Sequence, residues 1–317
     1  TVLSNGQLSA ILAAVRERFE VEPDVEITLE ANPGTVSLRK LRNLRAAGFN
    51  RISLGFQAMD DGALRRIGRV HSADEGLAAY QAAREAEFDN IGIDLIYGLP
   101  EQTLEDWQSN LEHALGLCPE HASLYELSIE EGTPFAEKQA AGQLNLPDED
   151  SRLEMYEVAI RTLAAAGYEH YEISNFARPG FRSRHNQVYW RNESYFGFGA
   201  GSARYLDEVR CGLTKSVQHY ITCIRQRIDP IGSCERLTGR ALMGETIMLG
   251  LRALEGVDLG EFEKRFGVPL MDAYGETVCA LQNDGLVELT KDRLKLTHRG
   301  LLMANRAAAE FVETERR

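Results

Sequence analysis

The chain has 317 residues and a mass of 35.4 kDa, enough for one large or two ordinary domains with a sizeable core. With 44% apolar and 26% charged residues it falls outside the disordered and fibrous classes, and no stretch approaches the roughly 18–20 apolar residues that cross a bilayer. A net charge of −13 argues against a phosphate backbone or an anionic membrane as default partner.

The chain opens on Thr1 rather than Met, without the basic region and cleavage site of a signal peptide. Ser4, followed by Leu8, Ile11, Leu12 and Val15, predicts a capped amphipathic helix at once. A helix cap with nothing before it leads us to expect a protein that continues upstream. VEITLEA (25–31) predicts a strand and SLRKLRNLRAAG (37–48) a helix closed by Gly48. RISLGF (51–56) is a strand, with helical stretches following in DDGALRRI and ADEGLAAYQAAREA. IGIDLIYG (91–98) has the near-continuous apolar run of a strand buried on both faces. A helix in TLEDWQSNLEHALGL, a strand in HASLYELSIEE, a helix over 151–167 and a strand in YEHYEISNFA follow. Repeated βα units predict a parallel sheet with right-handed crossovers, barrel-like or doubly wound.

The texture changes after residue 167. RSRHNQVYW and YFGFGAGSARYL are rich in Gly, aromatics and Arg without clean periodicity, and predict ordered loops or short strands. From about Leu237 three helices and a hairpin with a Lys291-Asp292 turn predict a winged-helix-like unit, closed by a helix in RGLLMANRAAAEFV. From Arg236 onward it carries 12 Lys/Arg against 13 Asp/Glu, a balance that speaks against DNA readout and for docking or a lid. The expected organisation is therefore a core over 1–167, a connecting region over 168–236 and a small α+β domain over 237–317.

Five cysteines, at 118, 211, 223, 234 and 279, are odd in number and widely spaced. No CxxC or CxxxC pair occurs, so we expect neither a disulfide framework nor a zinc ribbon. Buried thiols in a reducing cytoplasm are the expectation.

Four polar residues fall at or just beyond the carboxyl ends of expected strands: Glu30, Gln57, Arg69 and Asp94. In a parallel barrel these ends share one rim, where ligands bind. Arg grips a carboxylate through two donors, while Glu and Asp accept from an ammonium or a diol, so the set suits a ligand bearing a carboxylate, an amine and ribose hydroxyls. An ion-pair network holding the rim together is the competing interpretation. Asp94 resists it best, because it interrupts an apolar strand and needs a partner.

LEANPG (29–34), SLGFQ (53–57), GRVH (68–71) and GIDLIYGLP (92–100) together resemble the HemN/HemW group of radical S-adenosylmethionine proteins. The resemblance covers essentially the whole chain, including YEISNFA and the winged-helix-like unit. It implies an α/β fold, a partial (β/α) barrel of the radical S-adenosylmethionine type missing its first strands, followed by that smaller domain. It implies that Glu30, Gln57, Arg69 and Asp94 line an S-adenosylmethionine site, with Ser128 of YELSIEEGTPF as a weaker neighbour. HNQVYW (185–190) matches the HNxxYW motif of the group's heme-chaperone branch, which implies heme as ligand and His185, Tyr189 and Trp190 as its contacts. His185 offers an imidazole to heme iron, the two aromatics offer porphyrin-facing surface, and Arg182 and Arg184 suit propionates. A loop packed by its aromatics, with His185 merely hydrogen-bonded, is the plainer alternative.

The implied role is a cytoplasmic chaperone handing heme to respiratory proteins, with no nucleic-acid partner; peripheral membrane association and a dimer are compatible with it. An oxygen-independent coproporphyrinogen III dehydrogenase, an inert fragment and a winged-helix regulator are the alternatives. The group holds a [4Fe–4S] cluster through CxxxCxxC, and none of these five cysteines has that spacing. The resemblance thus implies the cluster only with a further amino-terminal segment, and enzymatic activity stays undecided.

Overall fold

The computed structural model describes residues 3–312, so the expectation tied to Thr1 lies outside the described residues. The chain divides into two compact units, Thr1–Arg182 and Ser183–Arg317. In the first, Ser4 opens α1 (Asn5–Arg18) with a reciprocal capping box to Gln7. β1 (Thr28–Ala31) passes through a 3-10 turn into α2 (Leu38–Ala47), capped by Ser37 and closed by Gly48 at φ 109°. β2 (Arg51–Gln57), α3 (Asp61–Arg66), α4 (Ala73–Glu85) and β3 (Ile91–Tyr97) repeat the strand–helix order. α5 (Leu104–Gly116), β4 (His121–Glu126), α6 (Pro134–Ala140) and α7 (Glu149–Ala165) continue it.

YEHYEISNFA departs from the single strand expected of it. The chain turns at Ile173 and Ser174, making an antiparallel hairpin of β5 (Glu169–Glu172) and β6 (Asn175–Ala177). The Asn175 amide donates to the Glu172 carboxylate across that turn. β6 then runs antiparallel to β4, so the sheet order is β1-β2-β3-β4-β6-β5 with only its first four strands parallel. The hairpin carries this sheet past residue 167.

Strand pleat assigns the two faces of this sheet. Leu29, Ile52, Leu54, Phe56, Ile93 and Leu95 are buried and take one parity along their strands. Helices cover that face. α4 approaches β2 through Gly76, where a Cβ would stand 2.7 Å from the Phe56 ring. Trp107 of α5 is fully buried, 5.6 Å from the Tyr97 ring, and its Nε1–H donates to the Met155 carbonyl of α7 at 2.8 Å. The other parity, with Glu30, Ser53, Asp94 and Ser123, is polar.

In the second unit HNQVYW is not a loop or strand. It forms α8 (Arg184–Trp190), whose first turn is fixed by Ser183 accepting from the Asn186 N–H. At seven residues the helix is too short for periodicity to disclose it. β7 (Ala203–Leu206), β8 (Val209–Leu213), α9 (Val217–Gln226) and β9 (Ile231–Arg236) follow, and the three strands pair antiparallel in chain order. Cys211 and Cys234 stand opposite each other across β8 and β9 and form a disulfide. The expectation of no disulfide fails because sheet register, invisible in the spacing, brings them together. Cys223 is the buried free thiol, while Cys118 and Cys279 are exposed.

α10 (Gly239–Gly250), β10 (Val257–Asp258), α11 (Leu259–Phe266) and α12 (Leu270–Asn283) lead to β11 (Val287–Leu289) and β12 (Arg293–Leu296). α13 (His298–Leu302) and α14 (Ala304–Ala309) end the described chain. The strands pair in the order β10-β12-β11, and Ile247, Phe262, Val278, Leu294 and Phe311 share one core, as a helical domain with a wing requires. No helix among the described residues is long and apolar enough to cross a membrane.

Replacing Trp107 by Phe removes the donor to a buried carbonyl and leaves a void, so unfolding should become easier by about 1–3 kcal/mol. Urea denaturation of the purified chain measures this; an unchanged midpoint would contradict the packing described.

Candidate functional site

The polar face of the first sheet ends in a rim built by four parallel strands. Glu30 pairs in register with Ser53, Gly55 with Asp94, and Asp94 with Ser123. Ser53 Oγ donates to Asp94 Oδ1 at 2.9 Å, and Ser123 makes the second side-chain hydrogen bond to the same carboxylate. Burial pushes the Asp94 carboxyl above its ordinary range, outweighing the two serines that draw it down. The Glu30 charge adds to the rise and Arg51 opposes it. Tyr125, two residues beyond Ser123, is raised by burial and then by the Asp94 charge.

Arg69 is held by a residue that motif spacing did not single out. Arg69 Nη1–H donates to Asn32 Oδ1 at 3.2 Å. A Cβ placed on Gly55 would stand 2.7 Å from Gln57 Nε2 and 3.5 Å from that same Asn32 oxygen. Gly55 is thus bare where two amides crowd over the strand, and Gln57 leaves the strand at φ 67°, a conformation costly for a non-glycine residue. His71 fixes the GRVH segment by a 3.2 Å hydrogen bond from its Nε2 to the Phe56 carbonyl. That bond carries Arg69 back to the end of β2.

Glu30 bears on Asp94 through its charge, Arg69 is held by Asn32, and Gln57 stands over the same bare Cα of Gly55 that Asn32 approaches. Ser128 is placed differently: its hydroxyl donates to Glu130 Oε1 at 3.3 Å in the loop after β4. Asn32, Ser53 and Ser123 were missed in the sequence. Each lies two residues or one strand register from a singled-out residue on the same face, which is the signal that finds them.

The chemistry of the donor set fits S-adenosylmethionine. Glu30 and Asp94 accept from an ammonium or a diol, and Arg69 donates to a carboxylate. A [4Fe–4S] cluster does not fit the residues present. The 317 residues contain no CxxxCxxC, and no group of three His, Cys, Asp or Glu among the described residues is arranged to hold a metal.

HNQVYW stands on α8. His185 is exposed, and its ring meets that of Tyr189 edge-on at 4.7 Å, one helical turn away. Tyr189 meets Tyr195 edge-on at 4.7 Å, and the Arg252 guanidinium lies 4.7 Å from the centre of the Trp190 ring. Trp190 Nε1–H is buried without a hydrogen-bond acceptor. Beyond the helix, Asn192 Nδ2–H donates to Glu245 at 3.2 Å and to Thr246 at 3.1 Å, and Glu245 also pairs with Arg210. Arg182 is committed to Glu169 at 2.9 Å, while Arg184 is exposed.

The raised Asp94 carboxyl has a definite sign. Its folded form holds the proton more tightly than the unfolded chain, so it costs stability as pH rises from the ordinary carboxylate range through the raised value. Asp94→Asn should remove that slope, gaining on the wild type as pH increases through this window. Urea midpoints across pH measure it, and parallel curves would overturn the assignment.

The radical SAM superfamily profile matches residues 2–114 and the HemN C-terminal domain profile residues 237–303. The heme chaperone HemW of Lactococcus lactis subsp. lactis (strain IL1403) is 38% identical over 314 residues, covering 98% of this chain and 82% of that protein. HemW of Bacillus subtilis (strain 168) is 37% identical, covering 98% and 83%. The mitochondrial radical S-adenosyl methionine domain-containing protein 1 of Mus musculus is 34% identical, covering 93% and 69%. Among solved structures, the coproporphyrinogen III oxidase HemN of Escherichia coli, a radical SAM enzyme, superposes with a TM-score of 0.82. It is 24% identical, covers 98% of this chain and 74% of its own, and establishes the radical SAM fold of the α/β sheet and the domain that follows. With relatives above 30% identity along nearly its whole length, the chain belongs to the HemW family of radical S-adenosylmethionine proteins.

Proposed function

We propose that this chain binds heme through α8 and passes it to heme-accepting respiratory proteins. One observation carries the reading: HNQVYW forms a helix that presents His185 to solvent, with Tyr189 one turn away and braced by Tyr195. An exposed imidazole is an axial ligand for heme iron, and the aromatic edge beside it offers apolar area to a porphyrin face. Trp190 lies under Arg252, so its part is to hold the helix. Arg184 is exposed and next to His185 in the chain, which places it for a propionate, and Arg182 pairs with Glu169. The names of the relatives support the same reading.

The rim would hold S-adenosylmethionine, Arg69 on its carboxylate and Glu30 and Asp94 on its amine and ribose hydroxyls, with Gln57 closing over Gly55. Bound there, the cofactor supplies a sulfonium centre and its adenosyl group. Asn32 orients Arg69, and Ser53 with Ser123 holds the Asp94 carboxylate in place. Ser128 donates to Glu130 and would join as an acceptor. The decarboxylation of coproporphyrinogen III has a likeness of fold behind it and no feature of these residues.

Titrating the purified chain with hemin should move the Soret band of the bound species in a saturable way. His185→Ala should abolish the ligation signature and weaken binding by about tenfold or more, the scale on which support of a metal site acts. Gln187→Ala, on the same helix, should leave the spectrum unchanged. Identical spectra for wild type and His185→Ala would sink the assignment.

A further inference from the structure

Six of the thirteen exposed large apolar side chains among the described residues fall between Phe196 and Ile231, in the second unit. Single exposed apolar residues are ordinary, but a cluster of them around one groove is not. The groove lies away from α8. Tyr195 turns its ring to Tyr189 of α8, and Phe196, next along the extended chain, turns the opposite way.

Two walls form this groove. On one, Phe196 and Phe198 flank Gly197, where a Cβ would run into the Ala203 carbonyl. The glycine lets the chain press on β7, and its two neighbours turn their rings the same way. Those rings stack with centroids 6.0 Å apart and planes 12° from parallel, and keep 56% and 66% of their exposure. On the other wall Tyr220 and Ile224 of α9, and Ile228 just beyond it, follow one another at four-residue spacing. Leu213 and Pro230, both buried, line the floor.

Hydrogen bonds hold the walls apart at a fixed spacing. The Gly199 N–H donates to the Tyr220 hydroxyl at 3.1 Å, which ties the phenylalanine loop to α9. Arg204 of β7 donates to Asp229 at 2.6 Å, and the Thr214 N–H to the Pro230 carbonyl at 2.8 Å, so the segment after α9 is fixed as well. The space enclosed is about 360 Å³, the size of a site for a small molecule. A ligand entering it finds the shape already made and has little to order.

One polar group on the lining has its charge to spare. Arg204 is met by Asp229, which leaves Arg227 as the lining cation with no ion pair among the described residues. In a chain of net charge −13 such a cation is not short of acidic candidates. Arg227 also ends α9 at φ 58°, in the left-handed region where glycine is favoured. The guanidinium is thus kept at the edge of an apolar groove at some cost to the backbone.

We propose that this groove binds a flat aromatic acid, its ring between the phenylalanine pair and α9 and its carboxylate on Arg227. A ring laid there gains offset stacking on one side and aliphatic contact from Ile224 and Ile228 on the other. The planar fork of Arg matches the carboxylate. The acid is either a small free molecule or the carboxylate-bearing edge of a larger ring system. The site does not depend on heme binding at α8.

Isothermal titration of the purified chain with sodium 2-naphthoate, and with neutral 2-naphthamide as its isostere, tests this. Saturable one-to-one binding of naphthoate is expected, with the negative heat-capacity change of apolar burial. Arg227→Gln should weaken naphthoate by about threefold to tenfold, the range for a charge partner still open to water, and leave naphthamide unchanged. Phe198→Ser should weaken both ligands; Ile224→Ser, on the opposite wall, serves if that variant does not fold. In the His185→Ala chain, hemin that displaces naphthoate would assign the edge of a larger ring, and hemin that does not would assign a small free acid. No saturable binding of naphthoate, naphthamide binding as tightly as naphthoate, or equal affinities in wild type and variants would overturn the proposal, whatever the outcome at α8.

Discussion

A carboxylate set into a strand whose other face is packed by helices has to be held by hydrogen bonds, and much of the first unit follows from that demand. Asp94 is flanked by Ile93 and Leu95, which face α5 and α7 with the rest of the apolar core. Its own parity faces the opposite side, where Ser53 and Ser123 on the neighbouring strands meet it. Those hydrogen bonds are possible only in the parallel register that places Gly55 and Ser123 opposite it. A slip of one residue would send Ile93 into the polar face and Asp94 into the helices, so register and site are fixed by the same residue.

Most strands and helices of this unit were legible because periodicity and caps are local. Ser4, Ser37 and Gly48 mark helix ends in the sequence and do so in the structure. Glu30, Gln57, Arg69 and Asp94 stood out because each follows or interrupts an apolar run. Asn32 did not, since its importance lies in accepting from Arg69, thirty-seven residues on. The hairpin at Ile173 was hidden because neither Ile nor Ser is a strong turn signal; the antiparallel docking of β6 on β4 decides it.

The second unit was less legible for a related reason. α8 lies in a stretch without periodicity, and its end is secured by groups far away in sequence. Asn192, just past it at φ 51°, bonds to Glu245 and Thr246, while Arg210 reaches Glu245 from β8 and lies over Tyr205. The Arg265 guanidinium caps the same turn by donating to the Asn192 carbonyl at 3.1 Å. None of these partners is within fifteen residues of HNQVYW, so no motif or spacing rule discloses them. The cysteine pair escaped likewise, because only the β8–β9 register sets Cys211 opposite Cys234.

Two kinds of unmet polar demand then separate the two units. On α8 the indole of Trp190 lacks an acceptor, while the exposed His185 ring offers a ligand further contacts beside Tyr189. At the floor of the first sheet the demand is a charge. Arg51 is drawn out of water with one long hydrogen bond, to Thr28, while the neutral His121 is held by the Tyr171 hydroxyl at 2.7 Å. Methionine or leucine at position 51 would satisfy the packing with no such cost, as replaced buried ion pairs commonly do.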